Sequence, residues 1–204
     1  MPDQPYNLSA MQMDVIKEIT NIGAGNAATA LADILTDRVT MSVPMLQFTH
    51  IDNIAHLLGG PENEVVGVLV GMTNDLDGML MFLFDKRITL TLLRVLLNKE
   101  AGSFESIDEM DMSALKEIGN IIAGAYVAAL ATITDLDVRL SPPDIAIDMV
   151  GAILSYPAAI FGTMGDQVLF IKEDFDSGED QVTCHLLLMP QPESLDLIMK
   201  RLGV

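Results

Sequence analysis

The chain is written twice. Sliding the sequence against itself by 99 positions aligns residues 11–44 with 110–143 without a gap, and 16 of the 34 positions are identical, too many for chance. The best-matched stretch is KEITNIGAGNAATALADI against KEIGNIIAGAYVAALATI. The match resumes where Leu90, Leu93 and Leu97 correspond to Leu195, Ile198 and Leu202. An internal repeat restricts the fold more than composition does, because each element must be built twice and the copies can share one core. The repeats span about 8–100 and 107–204. They meet in a polar join at 99–106 that contains Gly102. Residues 1–204 therefore read as a single domain built of two repeats. Half of the residues are apolar, enough for one core in a chain of 204. Trp is absent, so that core rests on Leu, Ile, Val, Ala and Met.

Each copy opens with a helix. Ser9 with Gln12, and Ser106 with Glu109, have the spacing of a capping box. Leu8, Met11, Val15, Ile19 and Ile22 recur at helical spacing and predict a core stripe on a helix reaching about residue 37. Strands are expected at 40–43, in a segment ending near Phe48, and at 137–140. Each is followed by a proline (Pro44, Pro143) that suits an edge or a strand end. Short helices are expected at 52–58 and near 147–154. Strands follow at 64–72 and 79–84, joined by a turn with Asn74, Asp75, Asp77 and Gly78. Their counterparts are 159–163 extending to 168–172, and 181–189. Helices at 88–97 and 193–202 close the copies. The expected class is α+β, an internal duplication of an α-β-(α)-β-β-α unit with pseudo-twofold symmetry.

On the first helix Asp14, Glu18, Asn21 and Gly25 are spaced 4, 3 and 4 residues apart, and Ser113, Glu117, Asn120 and Gly124 repeat the spacing. At about 100° per residue, four such positions fall within roughly 60° of one another. They form a polar ridge, set about a quarter-turn from the expected apolar stripe. Asn and Gly are poor helix formers, so their recurrence at matching positions runs against local preference. A solvated helix face is the bland reading, and halves can share residues by descent alone. Glycine at Gly25 and Gly124 would let another protein's backbone approach closely. The run Gly23-Ala24-Gly25-Asn26-Ala27-Ala28 matches a loose dinucleotide fingerprint, but it lies within a helix rather than after a strand, so nucleotide binding is rejected.

The net charge of −18 argues against nucleic acid and anionic membranes as partners. Cys184 is the only cysteine, which leaves no internal disulfide and no cysteine metal cluster, and it reads as a core residue. His50, His56 and His185 lack metal-ligand spacing. The 14 Met residues suit gap-filling in the core or an adaptable contact surface. The N-terminus has no basic region followed by an apolar one. The longest uncharged stretch, 118–134, is short for a membrane span and contains Asn120. A soluble cytoplasmic protein, with no membrane insertion, is expected.

The paired patterns D-x-x-x-E-x-x-N-x-x-x-G and S-x-x-x-E-x-x-N-x-x-x-G resemble the duplicated signature of the CheC family of chemotaxis phosphatases, whose relatives include CheX and parts of the switch proteins FliY and FliM. The resemblance covers nearly the whole chain and is strongest over 8–44 and 107–160. It implies a CheC-like fold and hydrolysis of the aspartyl phosphate on the response regulator CheY. It further implies that Glu18 and Glu117 anchor the regulator through a lysine. Asn21 and Asn120 would position the attacking water. The chain would need no cofactor of its own, Mg²⁺ being carried by the bound regulator. Asp14 and Ser113 would contact or orient the partner. An aspartyl phosphate is already activated, so placing a water in line can suffice, and an amide can do so without a tuned pKa. A carboxylate aimed at a phosphoryl group would meet like charge, which makes a salt bridge to the partner the better role for Glu. The family also pairs with the deamidase CheD. Residues 144–156 (DIAIDMVGAILSY) resemble the region of that contact, with Asp148 in the docking surface, although a core helix explains the same run. The alternatives are a non-catalytic chemotaxis or flagellar-switch adaptor binding CheY or CheD, and a metabolite-binding domain for which no pocket is legible.

Overall fold

The computed structural model describes residues 8–35, 40–99, 102–161, 167–176 and 181–204. Helix α1 (Ala10–Leu35) starts at the expected cap: the Gln12 N–H donates to the Ser9 hydroxyl (3.2 Å) and the Ser9 N–H to the Gln12 side chain (2.9 Å). Residues 36–37 of its expected extent lie outside the described residues. Its counterpart α4 (Glu109–Thr134) is not capped by Ser106 with Glu109. The Asp108 carboxylate accepts from the Met110 and Asp111 N–H groups, and Asp111 accepts from the Asp108 N–H. A carboxylate outcompetes a hydroxyl there because it also meets the positive end of the helix dipole. Ser106 instead closes a 3-10 turn, Phe104–Ser106, with Ser103. Lys99 Nζ lies 2.7 Å from Asp108 and 2.6 Å from the buried Asp111, pinning the join between the halves to the start of α4. The hydrogen bond from Lys99 holds the Asp108 carboxyl below its ordinary value, and its reciprocal raises Lys99.

The first half continues as β1 (Thr40–His50), α2 (Ile51–Leu57), β2 (Glu64–Asn74), β3 (Gly78–Phe84) and α3 (Lys86–Leu97). After α4 the second half runs β4 (Val138–Leu140), β5 (Asp144–Met149), α5 (Val150–Phe161), β6 (Gln167–Asp176), β7 (Gln181–Pro190) and α6 (Pro192–Leu202). The two prolines do equivalent work, since each lacks an N–H for the ladder. Beside Pro44 the register of β1 shifts between Ser42 and Met45, and at Pro143 the corresponding strand divides into β4 and β5. Two expected elements of the second half also differ. Residues 147–149 are strand, not helix: Ile145 and Ile147 turn inward while Asp144, Ala146 and Asp148 face out, the period of two of a strand paired on β2. Ala159–Phe161 end α5 rather than begin a strand, and 162–163 lie outside the described residues.

All pairings are antiparallel. The sheet order is β1-β6-β7-β3-β2-β4, with β5 also on β2. Exchanging β1 with β4 and β5, β2 with β6, and β3 with β7 returns the same order reversed. The first strand of each half thus pairs with the other half. Alternation then builds three layers. Val66, Val68, Phe82, Phe84, Ile171 and Leu186 turn to the side of α1, α3, α4 and α6. Val65, Met81, Leu83, Phe170 and Leu187 turn to the side of α2 and α5. By length and composition α4 could cross a membrane, yet Leu115, Ile118, Ile122 and Tyr126 bury its apolar side against α1 and β2. Fully burying one such Leu or Ile is worth about 1.5–3 kcal/mol.

Candidate functional site

The side of α1 that meets the core is made by Ile16, Thr20, Gly23, Ala24, Ala27 and Leu31. These are mostly small residues, because α1 and α4 pack directly on one another. At the crossing the Tyr126 ring lies over Gly23, where an added Cβ would come within 2.7 Å of it. Gly119 packs just as closely on β2, since a Cβ there would be 2.5 Å from Val68 Cγ1. The expected stripe is therefore corrected. Met11 and Ile22 are 64 % and 37 % exposed, and Leu8, Val15 and Ile19 are half-buried at the margin of the true core face. At about 100° per residue, the centre of that face lies roughly 140° from the polar ridge. The ridge is thus further from the core than a quarter-turn.

Asp14, Glu18, Asn21 and Gly25 are all exposed, as are Ser113, Glu117 and Asn120, while Gly124 is half-buried. Each ridge rises about 16 Å along its helix, at about 1.5 Å per residue. Among the described residues the side chains of Glu18, Asn21, Glu117 and Asn120 make no hydrogen bond or ion pair within the chain. Asp14 has only a loose contact, 3.9 Å, with Lys17 one turn on. Ser113 donates to the Glu109 carbonyl at 2.8 Å, so its hydroxyl is partly engaged by its own helix. The glycines separate into two kinds. Gly23 and Gly119 are required by packing, whereas a Cβ on Gly25 or Gly124 would meet nothing within 4 Å. The fold does not explain the ridge glycines.

Asp148 does not join the ridges. It is exposed on β5, on the α2 and α5 side of the sheet, and lines a groove of about 340 Å³ with Asp144, Ile153 and Tyr156. A second cavity, about 50 Å³, lies under α1 and α4 between Ile16, Tyr126, Leu130 and Leu195. Its walls are apolar, and it is on the core side, away from the ridges. No three His, Cys, Asp or Glu residues among those described are grouped to hold a metal ion.

Sequence reasoning missed one polar cluster. Glu173 on β6 is fully buried and accepts hydrogen bonds from the Tyr126 hydroxyl and from Cys184 Sγ (3.2 Å). Burial pushes its carboxyl up to about 7, and burial likewise raises the Cys184 thiol. Within KEDFD the inward position follows the β6 alternation, but a charged run reads as solvated. Through Tyr126 this cluster links β6 to the crossing of the two ridge helices.

The profile of the CheC-like family matches residues 11–46 and 110–147, the segments that hold the two ridges. The chain is 31 % identical over 196 residues to the CheY-P phosphatase CheC of Bacillus subtilis, covering 94 % of each. Among solved structures, Thermotoga maritima FliY superposes with a TM-score of 0.78 at 22 % identity, covering 97 % of this chain and 98 % of that one. The FliM middle domain of H. pylori superposes at 0.69 with 11 % identity, covering 95 % and 99 %. At these identities the two structures speak to the fold alone.

Proposed function

The chain belongs to the CheC-like family, and from that premise we propose that it is a phosphatase acting on the aspartyl phosphate of a CheY-type response regulator, with one site on each ridge. One observation carries the reading. Both Glu–Asn pairs stand exposed and unpartnered among the described residues, on helices whose ridge glycines face open space. Residues kept for stability would have neighbours, whereas these are arranged for another molecule.

In this mechanism Glu18 or Glu117 pairs with a lysine ammonium of the regulator and sets the register of docking. The amide of Asn21 or Asn120, three residues on, reaches the phosphoryl group and holds a water in line with the P–O bond. The water oxygen bonds to phosphorus, the bond to the aspartyl oxygen breaks, and the aspartate carboxylate leaves. The water's protons pass to phosphate and solvent. The amide serves as donor to the water and acceptor from it, so positioning supplies the acceleration. Mg²⁺ is assigned to the regulator, where it neutralises phosphoryl charge. The strongly acidic surface, −18 overall, suits a cationic rim on the partner.

A second partner surface is proposed on the other side of the sheet, where the groove beside exposed Asp148 and Tyr156 would receive CheD. The adaptor reading and the phosphatase reading differ in a direct assay. Phosphate release from a phosphorylated CheY-type regulator should accelerate on adding the protein. Glu18→Gln with Glu117→Gln should raise KM. If no CheY-type regulator of the same organism is dephosphorylated faster, the adaptor reading replaces this one.

A further inference from the structure

Met11 and Met110 occupy matching positions in the two copies, and both are strongly exposed, 64 % and 70 %. Each is held in the first turn of its helix inside a reciprocal cap, Ser9 with Gln12 and Asp108 with Asp111. The cap's own apolar contact does not use them. A hydrophobic staple uses the residue before the cap and the fourth helical residue, positions held here by Leu8 and Met13 and by Ile107 and Met112. All four of those are half-buried. Met11 lies one turn ahead of Asp14, about 50° round the helix from the centre of the ridge. Ile22, 37 % exposed, lies beside Asn21 on the same flank. Ile121 holds the matching place next to Asn120 and is half-buried. Met11 with Ile22, and Met110 on the second helix, therefore leave apolar surface beside the ridges that neither capping nor the core explains, whereas Ile121 packs against the core.

We infer that Met11 with Ile22 on the first ridge, and Met110 on the second, form docking shoulders that seat against an apolar patch of the phosphorylated response regulator beside its phosphoryl group. The inference rests on the phosphatase reading and adds to it the apolar part of the contact. A partner must cover the ridge for the Asn amide to enter its site. A standard interface of about 800 Å² per partner has a radius of about 16 Å. Met11 is about 13 Å along the helix from the midpoint of Glu18 and Asn21, and Ile22 about 4 Å. A docked regulator thus covers both, so they are continuous with the catalytic contact. The division of labour follows: Glu sets register, Asn acts on the water, and the shoulder supplies desolvated area. The unbranched, polarisable thioether lets the shoulder adapt to regulators of differing shape.

The test uses a CheY-type regulator held in its phosphorylated form by beryllium trifluoride and Mg²⁺, with binding followed by titration calorimetry and turnover followed in parallel on the phosphorylated form. Met11→Gln with Met110→Gln keeps helix propensity and length but removes the apolar ends. Kd and KM should each rise about tenfold, equivalent to ~1.4 kcal/mol, with kcat and Tm unchanged. Met11→Leu with Met110→Leu should restore binding. A Kd within twofold of wild type for the Gln pair overturns the shoulder, and so does failure of the Leu pair to rescue. If the Gln pair loses binding while wild type never accelerates phosphate loss, the shoulder stands and the phosphatase reading falls. A wild type that does not bind at all overturns both.

Discussion

The ridge glycines give an opposed pair of effects that few alternative accounts would produce. A Cβ on Gly25 or Gly124 meets nothing within 4 Å, so alanine there enters open space. Replacing an interior helical Gly by Ala is then worth about 1 kcal/mol of stability per site. The double variant Gly25→Ala with Gly124→Ala should gain about 2 kcal/mol. For a chain of this size each kcal/mol moves Tm by about 2–4 °C, so Tm should rise by roughly 4–8 °C. If the partner's backbone closes on those positions, two methyl groups now stand in the interface. Overpacking of about 1–3 kcal/mol would lower kcat/KM by roughly 5- to 150-fold. Calorimetry and phosphate-release kinetics on the same preparation read both effects. Gly119→Ala is the internal control. Its Cβ would sit 2.5 Å from Val68 Cγ1, in a fully buried β-branched residue that cannot turn aside. The clash should cancel or outweigh the helix gain, leaving stability level or lower by up to about 2 kcal/mol, and Tm level or lower with it. A Gly25→Ala, Gly124→Ala protein that is more stable and fully active would refute the idea that these glycines admit a partner.

Glu173, which is buried, and His185, which is half-buried, give opposite pH slopes. Glu173, raised to about 7 by burial, favours its protonated form in the fold, so its contribution is complete below about pH 4.5 and is lost as pH rises towards 7. The loss is roughly 3 kcal/mol, an order-of-magnitude figure at about 1.4 kcal/mol per pH unit. His185, lowered to about 4 by burial, must stay neutral in the fold, so its contribution falls as pH drops from about 6.5 to 4. The windows overlap, and wild-type stability should change little between pH 5 and 7. Glu173→Gln should expose a loss on acidification and His185→Phe a loss on raising pH, read by urea unfolding across pH. Equal slopes in both variants would contradict these assignments. Lys99→Met should lower Tm by leaving the buried Asp111 without its cation, while Lys99→Arg should recover part of it.

The offset of 99 residues made both ridges and most elements legible, because identical residues at fixed spacing constrain two places at once. Applied to the caps it would also have found Asp108 and Asp111, the equivalents of Ser9 and Gln12. A nearer serine gave a competing match at Ser106, which closes a 3-10 turn instead. At 144–149 the period of two in Asp144, Ala146 and Asp148 was visible, but it runs directly into the apolar helix α5, and a short apolar run suits either state. The core face of α1 was obscured by size. Its buried residues are largely Gly, Ala and Thr, set by the close approach of α4 from another part of the chain, whereas the large apolar Met11 and Ile22 remain outside. Burial of Glu173 depends on which face of β6 turns to the helices, a tertiary fact.

The two asparagines carry the proposed chemistry. In Asn21→Ala with Asn120→Ala, both changes lie at exposed positions without partners among the described residues, so Tm should hold or rise slightly. The decisive measurement is phosphate release from the phosphorylated regulator, with affinity for the beryllium trifluoride form measured alongside. The account predicts that release falls to the regulator's own rate while Kd stays within about threefold of wild type, a change of ~0.7 kcal/mol or less. Undiminished acceleration by the double variant would contradict it.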